Sequence, residues 1–215
     1  MEIIKEGLDI LLHLNDHLKF WIQDYGVWIY AILFLIIFVE TGLVIMPLLP
    51  GDSLLFAAGA LAASEGSLNI FILIPLLILA ALMGDNLNYF VGKKLGDLIK
   101  SKNKILFLKR EHIEKTEKYY EKYGGKTVII ARFIPIVRTV APFVAGAGSM
   151  VYKKYIVNCV LGAILWVAGV TVLGYACGNI PFIQNNFEIV IFGIIGISVL
   201  PIIIELIKNK MKKQA

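Results

Sequence analysis

Four ionisable residues lie in sequence that is otherwise apolar enough to cross a membrane: Glu40, Asp52, Arg132 and Arg138. An arginine at mid-bilayer costs roughly 2.5–3.5 kcal/mol on insertion scales, so Arg132 and Arg138 require neutralisation. The two acids carry the opposite sign and sit in the other half of the chain. Their chemistry is that of ion pairing, anion binding and proton exchange. A guanidinium stays charged when buried and presents a planar fork that fits phosphate or carboxylate, which a lysine ammonium does not. Protonating either acid would loosen its hold on an arginine and let that arginine take an anion.

Both pairs sit in stretches that resist a continuous helix. Arg132 and Arg138 fall within Thr127 to Met150, which also contains Pro135 and Pro142. Glu40 and Asp52 flank Pro47, Pro50 and Gly51. Proline removes a backbone donor and clashes with the preceding turn. Irregular backbone at membrane depth survives only inside protein or beside a water-filled cavity. The spacing therefore predicts two broken, re-entrant segments, at about 46–63 and 127–149, facing a polar site.

The chain as a whole is that of an integral membrane protein. Of its 215 residues 58% are hydrophobic and 17% charged, with a mean hydropathy of +0.77, against about 25% charge in an ordinary soluble domain. The net charge of +5 does not indicate nucleic acid. Eleven of the 21 Lys and Arg lie from Lys93 to Lys126 and four more from Lys208 to Lys213, both beside apolar spans, as the positive-inside rule requires. No aromatic-interleaved basic stripe is present.

The pattern predicts an all-α, polytopic membrane protein with about four full spans and the N- and C-termini inside. Residues 1–26 form an amphipathic interfacial helix, with Ile4, Leu8, Leu11 and Leu18 on one stripe. These residues lack a basic n-region and a cleavage site, so the segment is expected to be retained. Spans follow at Val27–Ile45, Ile70–Gly92 and Tyr155–Cys177, within a membrane domain of residues 27–178. A final helix covers 179–207 and a basic cytoplasmic tail 208–215. Residues 93–126, with glutamates and lysines interleaved at helical spacing, read as a solvated helical hairpin. Asp85 falls near the end of its span, where a carboxylate can reach water, and is assigned a supporting, structural role.

A short repeat links the halves. Phe56-Ala-Ala-Gly59 corresponds to Phe143-Val-Ala-Gly146, 87 residues later, each after a proline-broken stretch. Entry from opposite sides would make this an inverted-topology repeat, the arrangement by which transporters build a midplane site. Other candidates carry less. His13 and His17 are four apart but have no third metal ligand, so no metal and no cofactor are expected. Cys159 and Cys177 are 18 residues apart, about 27 Å along a helix and too far to bridge, and read as packing residues.

Three motifs carry a family resemblance: PLLPGD at 47–52, GDNLNYFVGKKLG at 84–96 and RFIPIVRTVAPFVAGAGSM at 132–150. Together they resemble the DedA family of bacterial inner-membrane proteins, whose eukaryotic relatives carry the VTT (SNARE-associated Golgi protein) domain. The likeness covers roughly Val27 to Gly178. It implies a transporter of the cytoplasmic membrane that returns undecaprenyl phosphate, or a related phospholipid, across the bilayer with proton motive force. It also implies Arg132 and Arg138 as phosphate-binding residues and Glu40 and Asp52 as the proton-coupling pair, supported by Pro47, Pro50, Gly51, Asp85, Pro135, Pro142 and Gly146. Asp52 stands where many members have Glu, and Ala131 and Ile136 where many have Gly. The partners expected are an anionic lipid, protons and the membrane, with no nucleic acid and the oligomeric state open. A lipid-phosphate hydrolase or transferase is the alternative, although no nucleophile paired with a base and no glycine-rich phosphate loop is evident. A membrane homeostasis or assembly protein is the other.

Overall fold

The computed structural model describes residues 24, 26–42, 51–64, 68–101, 104–105, 108–148, 150–186, 189–190, 193–194 and 196. The N-terminal amphipathic segment, Pro47 and Pro50, most of the final span and the basic tail lie outside these residues.

The described chain is helical apart from one small ladder. In order it forms α1 (Trp28–Gly42), α2 (Gly51–Ser64) and α3 (Ile70–Ser101). A two-residue ladder follows, β1 (Lys104–Ile105) antiparallel to β2 (Leu108–Lys109). Then come α4 (Arg110–Tyr123), α5 (Thr127–Ala131), α6 (Pro135–Ala147), α7 (Tyr152–Ala163), a π-helical turn (Ile164–Ala168), α8 (Gly169–Cys177) and α9 (Pro181–Asn185). Among the described residues two stretches are long and apolar enough to cross a membrane, Ile70–Leu95 and Tyr152–Cys177; α1, α2 and α6 are apolar but shorter. Their outward residues are themselves apolar, among them Phe71, Leu79, Val157, Leu161 and Leu165. Apolar surface on that scale suits a hydrocarbon solvent rather than water.

The expected hairpin at 93–126 takes a different form. Helix α3 runs on to Ser101, and the β1–β2 ladder, rather than a bare loop, separates it from α4. Gly124, at φ +57°, then ends α4, a conformation that glycine adopts without the Cβ clash of other residues.

Contacts divide the chain into two units. One comprises Met1–Leu33, Pro50–Leu76 and Gly169–Ala215; the other comprises Phe34–Leu49 and Leu77–Ala168. In the first, α2 buries nearly its whole length, Leu54 through Ala62, as a helix apolar all round must. It packs on α8 at backbone contact: a methyl added at Gly59 would overlap the Thr171 carbonyl, and one at Gly174 the Phe56 carbonyl. Asn69 starts α3, its Oδ1 accepting the Phe71 N–H at 2.9 Å, an N-cap interaction. The Tyr30 hydroxyl accepts the Asn69 N–H at 2.7 Å.

The second unit repeats the same crossing. A methyl at Gly146 would overlap the Tyr89 carbonyl, and one at Gly92 the Phe143 carbonyl. The two Phe-x-x-Gly tetrapeptides therefore do the same thing: each lays its phenylalanine carbonyl and its glycine against a partner helix that returns a glycine. Each unit pairs the short helix of one repeat with part of the membrane-length stretch of the other, α2 with α8 at the end of Tyr152–Cys177 and α6 with α3. Gly146→Ala is expected to lower stability by about 1–3 kcal/mol through backbone overlap. Gly169→Ala, where nothing lies within 4 Å of an added Cβ, should leave thermal unfolding in detergent unchanged or slightly improved. Equal melting of the two variants would contradict the close crossing.

The break in the Thr127–Met150 stretch is confined to Arg132–Ile134, between α5 and α6. Ile134 is extended, at φ −120° and ψ 106°, because the following proline excludes the helical region for it. Pro135 is then the first residue of α6, where its missing donor is harmless. Pro142, expected to interrupt the helix as well, is carried inside α6. Only the single bond from residue 142 to the Arg138 carbonyl cannot form. Two side chains fasten α4 to this region. The Thr127 hydroxyl donates to the Tyr119 carbonyl at 2.7 Å and the Tyr120 hydroxyl to the Ala141 carbonyl at 2.9 Å. Burial pushes the Tyr120 phenol well above its ordinary value, so it stays a donor.

Candidate functional site

The site forms in the second unit from α1, α3, α6, α7 and the break before α6. Small residues set the spacing. Gly84 of α3 lies against the Thr41 hydroxyl, the Gly42 N–H and the Phe38 carbonyl of α1. The Asn88 amide donates to the Thr41 carbonyl at 2.5 Å, binding a helix-end carbonyl of α1 to α3. These contacts set Glu40 and Asp85 on adjoining helices, both 3–4% exposed.

Each arginine meets one acid. Arg138, three residues into α6, pairs through Nη2 with Glu40 Oε1 at 2.8 Å. Arg132, in the break, pairs through Nη2 with Asp85 Oδ2. Three of the four side chains are nearly sealed, at 2–6% exposure, while Arg138 retains 12%. Two cations and two anions therefore lie inside the unit with their charges balanced, which meets the requirement for neutralisation. Removing one partner of such a pair leaves an uncompensated buried charge.

Of the two acids set against the arginines from sequence, Glu40 lies on Arg138. Asp85 does not lie where the sequence suggested: it is 4% exposed, and α3 continues sixteen residues beyond it to Ser101. It is thus mid-helix, not in the last turns, and the carboxylate is spent on Arg132 rather than on water. Asp52 belongs to the other unit, half-buried in the first turn of α2, where a negative charge complements the helix N-terminus. Gly51 begins that helix, Pro135 begins α6, Pro142 lies within α6, and Gly146 lies at the crossing with α3.

One face of α7, continued into the π turn, lines the Arg132–Asp85 pair through residues spaced at helical intervals. The Tyr155 hydroxyl donates to the Asp85 backbone carbonyl at 2.9 Å, and its ring stacks on Tyr89 at 4.4 Å. Cys159 Sγ lies 3.3 Å from Asp85 Oδ2, and its carbonyl accepts from Arg132 Nη2 at 3.4 Å. Gly162 leaves room for Arg132, whose Cδ and Nε lie 3.0 Å from where a Cβ would stand. Trp166 then lies beneath both guanidinium groups. Cys159, read from sequence as mere packing, is therefore part of the charge network, and Gly162 and Trp166 escaped notice. The 155, 159, 162, 166 periodicity was legible, but nothing in it distinguishes a helix face toward an arginine from one toward lipid.

The network is not fully satisfied. Nε and Nη1 of Arg132 are buried without a hydrogen-bond partner among the described residues, and a buried donor left unmade costs about 1–3 kcal/mol. The Arg132 side chain can thus donate to a further oxygen without giving up Asp85. Elsewhere in this unit a cleft of about 740 Å³, lined by Glu117, Glu121 and Lys154 among others, has none of the four paired residues in its wall. Among the described residues no group of three or more His, Cys, Asp or Glu is placed to hold a metal ion.

The VTT domain matches residues 49–176. Over 211 residues the chain is 49% identical to Protein DedA of Escherichia coli, covering 98% of this chain and 96% of that protein. It is 42% identical over 188 residues to an uncharacterized membrane protein of Mycobacterium leprae, covering 86% and 84%. It is 33% identical over 158 residues to inner membrane protein YghB of Escherichia coli, covering 74% and 72%. No solved structure matches the chain. The Mycobacterium leprae relative and YghB are named as membrane proteins, in keeping with the apolar outward surfaces of α3 and α7. With a domain match over more than half its residues and near-full-length identity to DedA, the chain belongs to the DedA family of VTT-domain membrane proteins.

Proposed function

We propose that the protein is a lipid translocase of the bacterial cytoplasmic membrane. In this reading it moves a lipid phosphate, undecaprenyl phosphate or a related phospholipid, from one leaflet to the other without altering it chemically. The observation that carries the reading is the buried pair of ion pairs, Arg132–Asp85 and Arg138–Glu40, set among the apolar helices α1, α3 and α6. Purely structural packing could use apolar side chains of the same volume at no loss of stability. Intramembrane charges instead mark pathways for ions, protons and substrates.

The cycle follows from the chemistry of the groups. With both acids ionised, each arginine is held by its carboxylate. A proton arriving at Asp85 or Glu40 weakens that pair, and the released guanidinium takes the lipid phosphate in a bidentate grip. Return of the carboxylate charge expels the phosphate. Proton and lipid thus load and leave together, and the proton motive force sets the direction. Re-entry of the two broken segments from opposite sides, with the termini inside, would let the site open to each leaflet in turn. Asp52, in the first unit, is a third acid assigned to proton exchange.

Purified protein in liposomes with labelled polyprenyl phosphate tests this reading. Sidedness should change with the label intact, faster under an imposed proton gradient. Release of inorganic phosphate would instead identify a lipid-phosphate hydrolase. Transport indifferent to both pH gradient and membrane potential would remove the proton coupling.

A further inference from the structure

Both guanidinium groups lie over one aromatic ring. Arg138 Cζ is 4.9 Å and Arg132 Cζ 5.7 Å from the ring centroid of Trp166. Trp166 is only 2% exposed, and a cation over an indole face gains most where water is excluded. The ring is presented by the π-helical turn Ile164–Ala168. Such turns interrupt a helix at single points, frequently at functional sites. Gly162, one turn earlier, is what lets Arg132 approach this helix.

The ring and the carboxylates hold the arginines by different physics. An ion pair weakens when its acid takes a proton. The attraction between a guanidinium and an indole face comes from the ring quadrupole and does not depend on that proton. We propose that Trp166 is a positioning residue: it keeps both arginines aimed into the site while one of them is parted from its carboxylate, so that a phosphate meets a preorganised fork. This rests on the lipid-phosphate reading above. It assigns Trp166 its work to the proton-loaded half of the cycle, when neither Asp85 nor Glu40 is certain to hold its arginine. Preorganisation of this kind raises affinity by removing an ordering cost at the moment of binding.

The chain has three tryptophans, so the W21F/W28F protein leaves Trp166 as the sole indole, unaltered in its own packing. Titrating this protein in detergent with undecaprenyl phosphate should change Trp166 emission saturably, and undecaprenol, which lacks the phosphate, should not. Binding of labelled undecaprenyl phosphate should weaken about tenfold in W166L. It should be restored to within about threefold of wild type in W166F and W166Y, which keep an aromatic face. The W166L defect should be larger at pH 5 than at pH 8. Emission indifferent to a lipid phosphate that demonstrably binds would overturn the inference and leave the translocase reading standing, as would W166L binding like wild type at both pH values. A wild-type protein that binds no labelled lipid phosphate would overturn both.

Discussion

Asp85→Leu is expected to destabilise the protein by about 3–5 kcal/mol and to abolish transport. The substitution leaves Arg132 buried at 4% exposure with its carboxylate gone. Its Nε and Nη1 already lack partners among the described residues, so the guanidinium is left with the Cys159 carbonyl at 3.4 Å, the Cys159 sulfur at 3.6 Å and the Trp166 ring. Asp85→Asn should fall less far, because an amide oxygen still accepts a hydrogen bond. The double substitution D85L/R132M should recover most of the lost stability, since it removes both charges and returns apolar volume. It should not recover transport. Thermal unfolding in detergent, with the liposome assay, reads all three. D85L as stable as wild type would mean that the ion pair does not form. Recovery of transport by the double variant would mean that it serves packing alone.

Arg132→Lys and Arg138→Lys should each slow lipid movement by at least about tenfold while leaving the fold intact. Charge is conserved, so the argument lies in geometry. Arg132 reaches Asp85, the Cys159 carbonyl and the Trp166 ring with one planar group. A lysine ammonium is a point charge and can meet one or two of these directions, but it does not lie flat on an indole while offering parallel donors to a phosphate. Arg138 has the same double engagement, with Glu40 and Trp166. Initial rates in liposomes, compared at equal amounts of reconstituted protein, give the ratio directly. Full activity in both variants would remove the bidentate grip from the mechanism.

Much of the architecture was legible without coordinates because it follows from solvent. A chain this apolar must put its hydrophobic surface in hydrocarbon, and Ile70–Leu95 and Tyr152–Cys177 are long enough to do so. The break in Thr127–Met150 was also legible, since Pro135 dictates the backbone of Ile134 whatever the tertiary context. Pro142 was not, because a helix held on other faces tolerates the loss of one hydrogen bond. The need for buried counter-charges followed from Arg132 and Arg138 themselves, and Glu40, one of the two acids set against them as a group, lies on Arg138.

Which acid meets Arg132 was decided by tertiary structure. Asp85 looked span-terminal because lysines follow it at 93 and 94, yet α3 continues to Ser101 and Gly84 draws α1 against it. Charge along a sequence reports distance from the membrane surface, not which helix faces which. The identity of the two reciprocal crossings, Phe56 and Gly59 with Gly174, and Phe143 and Gly146 with Gly92, likewise appears only in three dimensions. Sequence alone determined that two arginines had to be paid for inside the membrane. Only the fold determined that they share one indole, because side chains 34 and 28 residues from Trp166 meet it through helix packing that no local pattern encodes.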